Sequence, residues 1–213
     1  MQDIRPTKLG NALLDAQILD YDLVRQLKEE MNKIKVFRGV YDPRFIDESH
    51  HATATHVLSN EEASNDGQAL KCLRADIRYF KWRNGVVGHT TVIWNATEEP
   101  DCDGLQQLHT ARELLQAIEM PEEERGGPLP PSLLYATAAL LEGCTFVNGR
   151  NQNTLSCPGL MDLARQQVGV YLLGKDFKAG QTNFNTAAVE YLRTMGLVPR
   201  AIASSNHLGN SKE

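Results

Sequence analysis

The sequence predicts an α/β protein built around a parallel sheet. Two observations carry that reading. From residue 144 onward, short apolar, β-rich runs alternate with helix-length stretches at 144–147, 158–167, 170–174, 185–196 and 200–204. The polar, glycine-containing segments follow the strand runs, at 94–98, 148–154, 174–182 and 205–210. Strand–helix–strand units of this length require parallel strands joined by right-handed crossovers. Ligand loops of such a sheet lie beyond the carboxyl ends of its strands, so these four segments should converge on one edge.

The elements follow in chain order. Leu13, Leu14, Ile18, Leu19, Leu23, Val24, Leu27 and Met31 recur at three- and four-residue steps, predicting one long helix over 8–33. Residues 37–60 read as an irregular loop with Pro43 and His50, His51 and His56. A second helix is expected over 61–81, a β-branched strand over 89–94 and a further helix over 104–118. Residues 122–131 form an acidic, then Gly/Pro-rich surface loop. Ser132 fits the N-cap of a helix ending at Gly143.

Composition narrows the function classes. The 213 residues are 41% hydrophobic, enough for a sizeable core. A net charge of -5 gives no field that would attract nucleic acid or an anionic membrane. No apolar run reaches the roughly 18 residues of a membrane span. The N-terminus lacks the apolar core of a signal peptide, which makes the cytoplasm the expected location. Cys72, Cys102, Cys144 and Cys157 are widely spaced without CxxC, as expected for free thiols. The three clustered histidines lack a completing carboxylate or Cys at a familiar spacing, so no metal is expected. No GxSxG, P-loop or GxGxxG occurs.

Within the strand-exit segments, Asp176 sits where a strand gives way to a helix, within reach of a cofactor or substrate hydroxyl. Lys178 offers a cation to a phosphate or oxyanion, and Gly180 permits close backbone approach. Asn206 and Asn210 carry amides suited to a carboxamide or a sugar, or to an Asx-rich turn. A solvated αβ turn is the plainer reading of the first segment.

A resemblance sharpens the choice. Gly174-Lys175-Asp176-Phe177-Lys178-Ala179-Gly180-Gln181-Thr182 is similar to the GDD-x-KSGQT stretch of the inositol-3-phosphate synthase (myo-inositol-1-phosphate synthase) family. Ser205-Asn206-His207-Leu208-Gly209-Asn210 is similar to its NHLGNNDG, cut short after the first Asn. Asp3-Ile4 resembles its GWDI, 19–23 its LDYDL, 40–46 its IYDPDFI and 92–98 its VLWTANTE. Residues 141–154 resemble LEGVPFINGSPQNT. All occur in the family's order.

That resemblance implies a Rossmann-like NAD-binding domain over 1–182 and the start of a catalytic, tetramer-forming α+β region over 183–213. It implies NAD as cofactor, with Asp3 on the adenosine ribose, Ala96 and Gly149 in the cofactor wall, and Asp176 and Asn210 at the nicotinamide end. Lys212 matches the first lysine of the family's active-site group. The implied reaction is an isomerisation of glucose 6-phosphate to inositol 3-phosphate, in inositol and phospholipid biosynthesis. In it NAD takes a hydride from C5 of the open-chain sugar, C6 loses a proton and attacks C1, and the hydride returns. A cytoplasmic homotetramer is implied as well. The family's glycine-rich loop precedes GWDI and its remaining lysines follow, so the chain is expected to correspond to the middle of the enzyme.

Departures from the pattern are specific. Lys175 stands for an Asp, Ala179 and Arg150 each for a Ser, and Thr53 for an Arg. Asn95 and Thr97 change two of the TAN residues, and the segment between NHLGN and Ser211-Lys212-Glu213 is shorter. Two other functions therefore stand beside the enzyme: a truncated, non-catalytic relative that binds or regulates full-length synthase subunits, and a different NAD-dependent oxidoreductase. Bound NAD with turnover marks the enzyme. No NAD, with co-purification of a larger homologue, marks the regulator.

Overall fold

The computed structural model describes residues 1–177 and 180–202. They fall into two compact units, one of Met1–Lys175 and one that begins at Asp176.

The first unit opens with β1 (Gln2–Asp3), a helical pair and β2 (Phe37–Arg38). The expected single helix over 8–33 is two, α1 (Leu9–Ala16) and α2 (Tyr21–Asn32). Gln17 ends α1 in the left-handed region at φ 51°, and Asp20 caps α2 by accepting the Leu23 N–H at 3.0 Å. The hairpin is locked by Asn32, whose Oδ1 accepts the N–H of Gly10 at 2.9 Å. A Cβ on Gly10 would lie 2.4 Å from the Lys28 carbonyl oxygen, so only glycine allows this approach. Periodicity alone misses the break, because each half keeps its own apolar stripe.

β1 and β2 pair in parallel, Asp3 opposite Arg38. The expected loop over 37–60 thus contributes a strand, two 3₁₀ turns (Pro43–Phe45 and Glu48–Thr53) and a bridge between Gly39 and Val57. Next come α3 (Asp66–Arg83), capped by Asn65, and β3 (Thr91–Trp94). The helix expected over 104–118 is a 3₁₀ turn, Asp103–Gln107, then α4 (Ala111–Glu119), opened by a Thr110–Glu113 capping box. The acidic loop contains the four-residue α5 (Glu122–Arg125). α6 (Pro131–Leu141), β4 (Thr145–Asn148), α7 (Pro158–Gln166) and β5 (Leu172–Gly174) complete the unit.

β3, β4 and β5 form one parallel sheet in that order, as the alternation predicts. Val92, Trp94, Phe146, Asn148 and Leu172 share the face turned to the helices, and Phe146 is fully buried. α6 runs through the centre and is buried nearly all round, with Leu133, Leu134 and Leu140 at 0–1% exposure. It packs on α3, α7, β3 and β4. Glu142 at its end accepts from Arg74 and Arg78 of α3. No helix is long and apolar enough to cross a membrane among the described residues. All four cysteines are free thiols.

The second unit contains α8 (Gly180–Thr194), longer at its start than the expected 185–196. Gly196, at φ 78°, ends it, and the Leu197 N–H donates back to the Leu192 carbonyl at 3.0 Å. The expected fourth strand, 200–204, is not a strand over its described residues 200–202. Residues 203 and 204 lie outside the described residues.

Candidate functional site

The exits of β3 and β4 are joined at their backbones. Parallel pairing brings Trp94 opposite Asn148. Immediately beyond, the Gly149 N–H donates to the Trp94 carbonyl at 2.8 Å. One residue beyond Gly149, the Arg150 guanidinium Nε donates to the Ala96 carbonyl at 2.6 Å. Ala96 is exposed and Gly149 is buried beside the strand end. These two residues of the expected cofactor wall therefore sit on adjacent, cross-linked loops. The cation that replaces a small Ser at position 150 has a local partner instead of hanging free.

Asn148 organises the second loop. It is 1% exposed, and its Oδ1 accepts the Arg150 N–H and the Gln152 Nε2, both at 3.2 Å. Asn153 closes the far side, accepting the Cys102 N–H at 3.1 Å while its own N–H donates to Asp101 at 3.0 Å. The Trp94 Nε1, Asn148 Nδ2 and Gln152 Oε1 are buried and have no hydrogen-bond partner among the described residues. A buried polar atom left unpaired is worth about 1–3 kcal/mol in lost stability, so these strand exits are short of polar partners. The exposed Ala96 and the polar loop residues at these strand exits fit a ligand rich in hydroxyl and amide groups, as a dinucleotide is.

Asp3 lies at the end of β1, in the other sheet. Its carboxylate accepts the Thr7 hydroxyl at 2.8 Å and the Arg5 N–H at 3.0 Å. Two internal donors hold the group in orientation and leave lone pairs for a ribose diol. Tyr135 of α6 links the loop after β2 to β3: its hydroxyl accepts the Val40 N–H at 3.2 Å, and its ring lies 5.1 Å from that of Trp94. Burial pushes the Tyr135 phenol well above its ordinary value, so it stays a neutral hydroxyl.

Asp176 is two residues beyond β5, exposed, with φ 72°. Left-handed backbone at a non-glycine residue is uncommon, though Asp tolerates it better than most. It belongs to the second unit. Asn210 and Lys212 lie outside the described residues, as do Lys178 and Ala179. His51 and His56 each bond a loop carbonyl, of Ile46 and Val36 respectively, at 3.3 Å. No metal-ligating group of three exists among the described residues.

One constellation was not legible in the sequence. Glu99 is 5% exposed and accepts the Ser132 N–H at 2.9 Å and also the Ser132 hydroxyl. That hydroxyl lies 2.5 Å from the hydroxyl of the buried Thr154. Ser132 is thus not the N-cap; Pro130 holds that position, and the acceptor for the first turn of α6 comes from the loop after β3. The available signal was a second glutamate directly before Pro100, at a strand exit.

Burial pushes the Glu99 carboxyl up to about 7, against the opposing pull of the Ser132 donors, and Asp42 adds to the rise. The folded protein therefore takes up a proton between pH 4.5, the ordinary value, and 7 that the unfolded chain does not. The contribution to stability is fullest below that window and falls as pH rises through it, by about 3 kcal/mol at the upper end. Glu99→Gln is expected to remove this loss. Thermal melts from pH 5 to 8 should show a flatter fall in Tm for the variant; parallel profiles would refute the assignment.

Known proteins of one family match nearly the whole chain. A family profile described as myo-inositol-1-phosphate synthase, of an NAD-binding class, matches residues 2–204. Inositol-3-phosphate synthase of Trypanosoma brucei brucei is 37% identical over 210 residues, 98% of this chain and 38% of that protein. Inositol-3-phosphate synthase 1 of Bos taurus is 39% identical, over 98% of this chain and 36% of that one. The crystal structure of inositol-3-phosphate synthase from Caenorhabditis elegans superposes with a TM-score of 0.76 at 33% identity, covering 92% of this chain and 36% of that one. The chain thus spans well under half the length of these relatives.

Proposed function

The chain belongs to the myo-inositol-1-phosphate synthase family, and on that premise we propose that it forms the NAD-binding part of an inositol-3-phosphate synthase, an isomerase that converts D-glucose 6-phosphate to 1D-myo-inositol 3-phosphate. The observation that carries this reading is the pair of cross-linked strand exits, Trp94–Gly149 and Ala96–Arg150, lying inside the matched segment.

In this reading Asp3 receives the adenosine ribose hydroxyls on an already oriented carboxylate. The backbone at Ala96 and Gly149 forms a wall against which the dinucleotide lies. Asp176 and Asn210 hold the nicotinamide end, and Lys212 neutralises the charge that develops as the enolate forms. NAD, when bound, supplies a hydride acceptor and later the hydride donor, so no net oxidation results. The setting is inositol and phospholipid biosynthesis in the cytoplasm, by a homotetramer.

The test is turnover. The protein at its full length, given NAD and glucose 6-phosphate, is expected to form inositol phosphate without net accumulation of NADH. Bound NAD without that product would turn the reading toward another NAD-dependent oxidoreductase. Lys175 and Arg150 favour one second reading, because each puts a cation where the family has Asp or Ser. That reading is a non-catalytic relative that binds or regulates full-length synthase; it predicts no NAD and co-purification with a larger homologue.

A further inference from the structure

We propose that Glu99 is a positioning residue for the cofactor wall, clamping the loop after β3 to the first turn of α6 and to the loop after β4 through Ser132 and Thr154. The proposal rests on the functional reading above, which assigns no role to Glu99.

The loop between Trp94 and Glu99 has four residues, 95–98, and Ala96 lies inside it. Its start is fixed by the Gly149 N–H on the Trp94 carbonyl at 2.8 Å. Its middle is fixed by Arg150 on the Ala96 carbonyl at 2.6 Å. Its end is fixed by Glu99, a carboxylate taken out of water to reach Ser132. Desolvating a carboxylate is unfavourable unless donors replace the lost water. Here one oxygen takes a backbone N–H and the other a hydroxyl. The Ser132 hydroxyl donates to Glu99 and receives the Thr154 hydroxyl in turn, so one chain of bonds spans both loops. Thr154 lies four residues beyond Arg150, so the clamp closes the second loop as well as the first.

A wall held at three points is already ordered when a ligand arrives, and ordering it during binding would weaken affinity. Releasing one end of a four-residue loop should therefore act on binding of NAD before it acts on chemistry. The effect expected is about tenfold in affinity, the scale of a positioning contact next to a binding group.

Full-length Glu99→Ala is expected to raise the Kd for NAD, read by calorimetry, and the KM for NAD by at least about tenfold. The kcat at saturating NAD should fall by less than about threefold, because the wall forms once NAD fills it. Glu99→Gln should recover at least half of the lost affinity on a logarithmic scale. Its amide oxygen can accept the Ser132 N–H while its NH₂ donates to a hydroxyl chain running the other way. Thr154→Val cuts the same chain without touching the carboxylate and should also weaken NAD, so it decides the matter if Glu99→Ala does not fold. Leu160→Ala, a buried change in α7, should lower Tm with little effect on the Kd. If Glu99→Ala and Thr154→Val lower Tm but bind NAD as the wild type does, Glu99 is structural only and the proposal is overturned. If the wild-type protein itself binds no NAD, the functional reading fails, and this one with it.

Discussion

Gly174→Ala is expected to destabilise the first unit by at least about 3 kcal/mol, the cost of forcing both strain and overlap on a packed strand end. Gly174 is the last residue of β5, in register with Asn148. Its φ is 97°, which L side chains rarely adopt. A Cβ there would lie 2.1 Å from the Asn148 carbonyl oxygen and 3.0 Å from its carbonyl carbon. Both are backbone atoms of the central strand, so neither can swing aside as the end of a long side chain would. The strand end has to part from β4, and Asn148, which holds Arg150 and Gln152, has to shift with it. A unit of this size should lose roughly 10 °C in Tm, at about 2–4 °C per kcal/mol. NAD binding should weaken in parallel. Gly88→Ala is the control: nothing lies within 4 Å of its added Cβ, and the change should be nearly neutral. Equal melting temperatures for the two variants would show that β5 does not meet β4 this closely.

Lys212→Ala is expected to lower turnover of glucose 6-phosphate by at least about 100-fold in the protein at its full length. The assignment comes from the match of Ser211-Lys212-Glu213 to the lysine-bearing segment of the family and from the proposed reaction. The enolate develops negative charge as the proton leaves, and a fixed cation stabilises that charge more in the transition state than in the ground state. Removing it should therefore act on kcat and on kcat/KM alike, with NAD affinity changed much less. Lys212→Arg should also fail, because a planar guanidinium does not reproduce a compact ammonium in a fitted pocket. Near-wild-type kcat for Lys212→Ala, with glucose 6-phosphate saturating, would withdraw the catalytic assignment.

The sequence by itself determined the class of fold, three parallel strands in their places, and the strand-exit segments that carry Ala96, Gly149 and Asp176. These are local or periodic signals. A β-branched run, a helical repeat of apolar residues and a polar stretch after a strand are each read within about ten residues. The family motifs are equally local. What only the tertiary structure decided lies at longer range. The helical pair on either side of Gln17 is held by Asn32 on Gly10, 22 residues apart, and the β1–β2 pairing joins residues far apart in sequence. Ser132 reads locally as a helix cap, yet its donors go to Glu99, 33 residues earlier, and its hydroxyl meets Thr154, 22 later. Gly174 reads as an ordinary turn glycine until the register sets it against Asn148. Residue identity fixes what a side chain can donate, accept or tolerate. The path of the chain fixes which partner it meets, and burial then makes Glu99 an internal clamp with a raised pKa rather than one more surface acid.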